Sequence, residues 1–402
     1  MSLTKTGLVK TWYSKSLLLV LFLYILLSVI ATAQGIFAGP KVYVPGGRAY
    51  IDYNNYIIFK YSFFHLLQGK DLYQLWPEEH WDLYKYSPAF ALCFGLLAKL
   101  PDGIGLLLWN LANALCLFAG IRSLPALSDT RKSWILLFCV LEMLVSLQNG
   151  QSNGLMAGLL ILAFSLAERS KYFLSTLCVV ASFYIKIYGA LAFILYLFYP
   201  GKLRLIGWTL FWMLLFAILP LAVVGPHQLG FLYKSWLNLL QNDRSASVGL
   251  SVMGILETWF HWSTVKNVVT VTGGVLLLLP LIHIRRYKDY SFRLLYLASV
   301  LVWMVIFNHK AESPTFIIAM SGIGIWYFSQ SKDRLNQVLL ILAFLLISMS
   351  ISDLVPSAIR NGIVRPYGVK AVMAIVIWCK IVYEQLTLRY KPAPATEKSV
   401  LS

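Results

Sequence analysis

Apolar runs follow one another along almost the whole chain, separated only by short polar links, and they constrain the fold more than any motif does. Hydrophobic residues make up 59% of the 402 and charged residues only 13%, which is the balance of a polytopic membrane protein and not of a soluble enzyme. Inside a bilayer every backbone N–H and C=O must find its partner within the protein, so runs of this length read as helices. The first run, 17–38, is longer than a signal-peptide core. It is not followed by a small-residue cleavage site and a soluble domain, so it reads as a retained first span.

Spans placed at 17–38, 103–121, 133–147, 154–168, 172–185, 188–199, 203–224, 265–284, 292–307, 314–329, 336–352 and 368–387 make twelve, with both termini inside. The basic residues test that map. Lys5, Lys10 and Lys15 precede the first span, and Arg122, Arg131 and Lys132 follow the second. Arg169 and Lys171, Lys202 and Arg204, Arg285, Arg286 and Lys288, Lys332 and Arg334, and Arg389 and Lys391 take the later turns. Each cluster then falls on the cytoplasmic side, as the positive-inside bias requires. Several runs are shorter than the ~20 residues of a comfortable span, so some neighbours read as broken helices buried among others. The expected fold is all-α and occupies a single membrane domain over 1–391, with a first outer loop at 39–102 and a short cytoplasmic tail at 392–402.

The apolar run 88–100 does not fit as a span. About 13 residues reach only ~20 Å as a helix, against a hydrocarbon core of ~30 Å, and counting the run would move the Arg122 to Lys132 cluster outside. With the preceding "YIIFKYSFFHLLQG" it reads instead as juxtamembrane helices at the outer interface. The unusual polar segments then collect on the outer face: 39–87, "QNGQSN" at 148–153, Lys186, 225–264, "FNHKAESP" at 307–314, and 352–368.

The net charge of +17 does not point to nucleic acid, because the cations sit at the ends of apolar runs instead of on one soluble basic element. All five cysteines lie in or against apolar segments without a CxxC pair, and the acids and His80 of "GKDLYQLWPEEHWDLYKYSP" (69–88) lack metal-ligand spacing. No metal or cofactor is implied.

Asp52, within "GGRAYIDYNNY", opens a helix-like run too aromatic for an ordinary linker. An acid there is either a solvated charge or helix cap, or a carboxylate desolvated enough to act as a general base. The segment 69–88, with Asp71, Glu78, Glu79, Asp82 and Lys85 among Tyr and Trp, suits an interfacial belt or a sugar-binding groove. Gln148, Asn149, Gln151 and Asn153 serve either as helix-packing glue or as a ligand groove. Glu142 and Lys186 are ionisable groups at membrane depth, where an interhelical Glu–Lys pair is the plain reading and function the other. Arg244, His309, Lys310, Arg360 and Arg365 are outer-face cations suited to a lipid phosphate or to headgroups.

As an ordered set these residues resemble the polyprenyl-phosphate-sugar-dependent glycosyltransferases of family 87, which have a GT-C-type membrane fold and include mannosyltransferases. The pattern is Asp52 with "YNNY", Gly69-Lys70-Asp71-Leu72-Tyr73, "YKYSP", Leu100-Pro101, Trp109 and Asn113, Gly150-Gln151 with Asn153, and Lys186. Ser87 replaces a proline of that pattern, Ile187 stands where a proline often follows the lysine, and Arg244 stands near a position that is commonly Gln. The resemblance implies transfer of a hexose, mannose among the candidates, from a polyprenyl-phosphate donor to a glycolipid or glycan acceptor on the outer face of the inner membrane. Asp52 would be the base, and Lys186, Arg244, His309, Lys310, Lys85, Gln151 and Asn153 would serve the donor phosphate and substrate. Membrane lipids are the other expected partners. The rival readings are a lipid or solute transporter or flippase, and a ligase or polymerase of lipid-linked glycans.

Overall fold

A computed structural model of the protein describes residues 14–43, 46–242, 249–262, 266–331, 333–352 and 355–390. Among the described residues, three helices are long and apolar enough to cross a membrane on their own: α1 (Lys15–Phe37), α4 (Asp102–Ser123, after the short α2 and α3), and α9 (Lys202–Ile218) with its 3₁₀ extension to Ala222. A fourth candidate is a pair bent by 57°, in which Ser357–Val364 leads into Val369–Thr387.

The remaining apolar helices are shorter, yet they fall where the sequence places spans. They are α5 (Asp129–Phe138) and α6 (Val140–Gln148), joined at Cys139, then α7 (Asn153–Glu168) and α8 (Tyr172–Ile185). Beyond α9 come α12 (Lys266–Leu278), α13 (Tyr290–Ile306), α14 (Phe316–Phe328), α15 (Arg334–Ala343) and, after the three-residue α16 (Ser357–Ile359), α17 (Val369–Thr387). The run read as a sixth span is not α-helical: Ile187–Phe198 is a twelve-residue 3₁₀ stretch, long for that conformation.

The segment 39–102, expected as the first outer loop, carries a two-strand hairpin, β1 (Lys41–Val42) with β2 (Ala49–Tyr50), followed by α2 (Asn54–Leu67) and α3 (Pro88–Ala98), the two helices expected there. They are not loose on a surface. Phe59 of α2, Phe94 of α3 and Trp109 of α4 meet edge to face with centroids 5.2–5.6 Å apart, an arrangement the aromatic quadrupole favours. Ser87 makes contacts that a proline there could not. Its Oγ accepts from Phe90 N at 3.1 Å to cap α3 and donates to Tyr184 O of α8 at 2.6 Å.

The segment 225–264, read from sequence as a loop, instead holds two helices: the amphipathic α10 (Pro226–Asn242) and α11 (Val252–Phe260). Leu229, Leu232 and Trp236 form the buried face of α10. Ser235 donates to both oxygens of Asp71 at 2.9 Å, and Gln228 donates to Gly69 O at 2.7 Å, so α10 is docked on the segment between α2 and α3.

Packing in the bundle relies on small residues and a few buried charges. α4 crosses α7 at Gly120 and Gly158, so closely that a Cβ on Gly158 would lie 2.4 Å from the Cys116 carbonyl carbon. The apolar face of α9 (Leu203, Ile206, Leu210, Leu214) is exposed, an arrangement suited to hydrocarbon and costly in water. Glu142 does form the interhelical Glu–Lys pair, but its partner is Lys370 of α17, at 2.8 and 2.9 Å, and not Lys186. Both side chains are essentially sealed from solvent, at 0% and 1% exposure, which explains why a charge in an apolar run is tolerated. Among the residues outside the described set are Arg244, Lys5, Lys10, Lys332 and the tail 392–402.

Candidate active site

The turn "QNGQSN" between α6 and α7 is fixed first by backbone bonds. Gly150 adopts a left-handed φ of +59°, where a side chain is strained. Trp109 Nε1 donates to Gly150 O at 2.9 Å, and Asn113 Oδ1 accepts from Leu155 N at 2.9 Å, so the tryptophan holds the turn's backbone and the asparagine the first turn of α7 that follows it. The four amides then divide. Gln148 donates to Gln34 of α1 at 2.8 Å and acts as packing glue between helices, while Asn149 donates back to Val145 O and closes the end of its own helix. Gln151 and Asn153 face Lys186.

Lys186 ends α8. Its extended backbone (φ −139°, ψ 123°) breaks the helix ahead of the 3₁₀ run and turns the ammonium towards Asn153 Oδ1 at 2.7 Å and Gln151 Oε1 at 3.5 Å. Gln151 Nε2 in turn donates to Glu312 Oε2 at 3.3 Å, completing a relay from cation to amide to carboxylate. Burial pushes the Lys186 ammonium down to about 8, with the Glu312 carboxylate pulling the other way and Lys85 adding to the fall.

The relay opens into a cavity of about 460 Å³ where the ends of α2, α7, α8 and α13 meet. Its wall brings together Lys85, Gln151, Lys186, His309 and Lys310, five of the seven residues expected to serve the donor. Asn153 stands behind the wall, bonded to Lys186, and Arg244 lies outside the described residues. Tyr86, Tyr188 and Phe59 supply aromatic faces; Ile58, Leu83, Ile187 and Leu240 of α10 supply an apolar side. Lys310, like Lys186, is driven down to about 8, by burial first and then by Lys85, while Asp82 opposes the fall. Burial and Lys266 lower His309 as well.

Asp52 is not part of this wall. It is ion-paired with Lys41 of the hairpin and lies three residues ahead of Asn55, which does line the cavity and donates to Asn149 O at 2.9 Å. Asn54 is structural, exchanging hydrogen bonds of 2.6 and 2.8 Å with the backbone of Trp81. The carboxylates that do line the cavity are Asp82 and Glu312. Asp82 holds a left-handed backbone (φ 76°), rare for a residue with a side chain, and its own Oδ1 accepts from Leu83 N at 2.7 Å. Sequence reading placed Asp82 and Tyr86 only within a general acidic and aromatic stretch and singled out neither Glu312 nor Tyr188. The spacing held a cue: Glu312 follows Lys310 by two residues, and Tyr188 follows Lys186 by two. Arg365 borders a separate cavity of about 440 Å³ that shares only Glu312 with the first.

The cavity is cationic at one part of its wall, through Lys85, Lys186 and Lys310, and aromatic and apolar at others. Residues 84–307, 224 of the 402, match glycosyltransferase family 87, and the chain belongs to that family. It is therefore a membrane glycosyltransferase. The match includes Lys85, Gln151, Asn153, Lys186 and Arg244 and leaves Asp52, His309 and Lys310 outside its bounds. No curated protein matches the chain.

Proposed function

We propose that this glycosyltransferase works at the outer face of the inner membrane, on a GT-C-type frame of about twelve spans over 1–391, and moves a hexose from a polyprenyl-phosphate donor to a glycolipid or glycan hydroxyl. One observation carries the reading: Lys85, Lys186 and Lys310 gather on a single cavity whose other walls are aromatic and apolar. Lysines partly stripped of water bind a phosphate strongly, the tyrosines suit the faces of a sugar, and the Leu83, Ile187 and Leu240 side suits the first isoprene units.

In the reaction Asp52 takes the proton of the acceptor hydroxyl as that oxygen bonds to the anomeric carbon. The bond from the anomeric carbon to the phosphate oxygen breaks on the opposite side, and its electron pair leaves with the lipid phosphate. The configuration at the anomeric carbon inverts. Charge grows on the phosphate as the bond breaks, so cations already fixed in the cavity stabilise the transition state more than the ground state. Lys186, Lys310, Lys85 and Arg244 serve that charge, with His309 assisting. Asp52 must exchange its contact with Lys41 for the acceptor hydroxyl, and Asn55 links the turn that carries it to the cavity.

A donor panel tests the reading. Purified protein in nanodiscs should consume a polyprenyl-phosphate hexose and release polyprenyl phosphate, and should leave nucleotide sugars untouched. Transfer directly from a nucleotide sugar, or transport of lipid with no donor consumed, would overturn it.

A further inference from the structure

We propose that Glu312, together with Tyr188, reads the hydroxyl groups of the transferred sugar, and that it restricts the donor to neutral sugars. The inference rests on the lipid-phosphate reading of the same cavity. A site for phosphate alone has no use for a carboxylate, since like charges a few ångströms apart repel even when partly screened. Yet Glu312 shares the cavity wall with the three lysines, and Gln151 ties it directly to the network of Lys186. The placement makes sense when the ligand has two parts: an anion for the lysines and a cluster of O–H donors for the carboxylate.

The chemistry of Glu312 suits that second part. An ionised carboxylate accepts at about four lone-pair positions, and the structure commits one contact, from Gln151 Nε2 at 3.3 Å. Neighbouring hydroxyls of a sugar ring can fill the others. Tyr188 adds an independent sign: its hydroxyl is buried and lacks a hydrogen-bond partner among the described residues, although it belongs to the cavity wall. A buried hydroxyl left unmatched costs free energy that a bound ligand can recover. Tyr86, in the same wall, offers a ring face for the apolar side of a sugar.

Glu312 is also held in place. The next residue, Ser313, has its Oγ 2.8 Å from Lys370 Nζ, the ammonium locked to Glu142 in the bundle interior. The carboxylate and the phosphate-facing lysine are therefore set at a fixed spacing by Gln151 on one side and Lys370 on the other. A uronic acid would bring a second anion against Glu312 and be refused.

The test separates sugar recognition from lipid-phosphate binding. Wild type and Glu312→Gln in nanodiscs are titrated with sugar-free polyprenyl phosphate, with polyprenyl-phosphate mannose, glucose and galactose, and with a polyprenyl-phosphate glucuronate. Wild type should hold one neutral sugar donor more tightly than the bare lipid and the glucuronate more weakly. In Glu312→Gln the advantage of that sugar should fall roughly 10- to 100-fold, the span of a lost charge-assisted hydrogen bond. Binding of the bare lipid should hold or tighten, because the substitution removes a carboxylate that repels the phosphate, and Glu312→Asp should recover part of the loss. Equal weakening of bare lipid and sugar donor, an unchanged preference, or tight binding of the glucuronate by wild type would overturn the inference. Failure of wild type to bind the bare lipid at all would instead refute the phosphate reading beneath it.

Discussion

Two lysines set the chemistry of the cavity at the scale of single residues. With burial driving Lys186 and Lys310 both down to about 8, raising the pH above 8 removes cations that the proposed donor needs. A bound phosphate stabilises the protonated ammonium and draws each value back up. The expected profile is a donor KM that climbs above pH 8 while kcat at saturation stays flat to higher pH; Lys310→Arg, with a guanidinium that keeps its proton, should delay the climb. A KM independent of pH from 7 to 10 would remove these lysines from donor binding. The buried pair yields a second expectation. Lys370→Met strands the Glu142 carboxylate and should cost ~3–5 kcal/mol of stability, whereas Lys370→Met with Glu142→Leu should restore most of it. The double variant still lacks the tether on Ser313, so its donor KM should remain raised. Thermal unfolding in detergent and donor kinetics read the two effects separately.

Helices were legible from the sequence wherever the apolar pattern alone decides them. Each of the twelve runs coincides with helical structure, because a long apolar stretch has few other ways to satisfy its backbone. Conformation within a run was not legible: the 3₁₀ course of Ile187–Phe198 depends on packing, including Gly189, where a Cβ would meet Ser182 Oγ at 2.5 Å. α10 was missed for a different reason. At 17 residues with a polar face it is no span, and a reading tuned to spans passed over the apolar stripe Leu229, Leu232 and Trp236. The site followed the same division. The cations were recognisable because, on the expected topology, His309 and Lys310 run against the positive-inside bias and Lys186 stands between two short apolar runs, whereas Glu312 became meaningful only once folding set it beside Gln151. The pairing of Glu142 was misassigned because Lys370, 228 residues away, lies in the first turn of the last helix. The α4–α7 crossing provides the test at this scale. Gly158→Ala places a methyl against the Cys116 backbone, and overpacking of that kind should cost ~1–3 kcal/mol. An unchanged melting temperature would mean that the two helices do not approach so closely.

For the whole molecule, the decisive question is how the polar segments are distributed between the two sides of the membrane. On a cysteine-free background, Glu78→Cys in the first outer loop should react with an impermeant reagent from outside, and Lys288→Cys in the basic turn before α13 only from inside. Labelling of position 288 from outside would invert the map and place the cavity in the cytoplasm. The central claim, that Asp52 drives sugar transfer on a cavity that binds lipid phosphate, is tested most directly by Asp52→Asn. Transfer from a polyprenyl-phosphate hexose is measured alongside binding of sugar-free polyprenyl phosphate in the same nanodiscs. Loss of a general base should reduce turnover by about 10²- to 10⁴-fold while lipid binding is retained. Turnover close to wild type in Asp52→Asn would contradict the account.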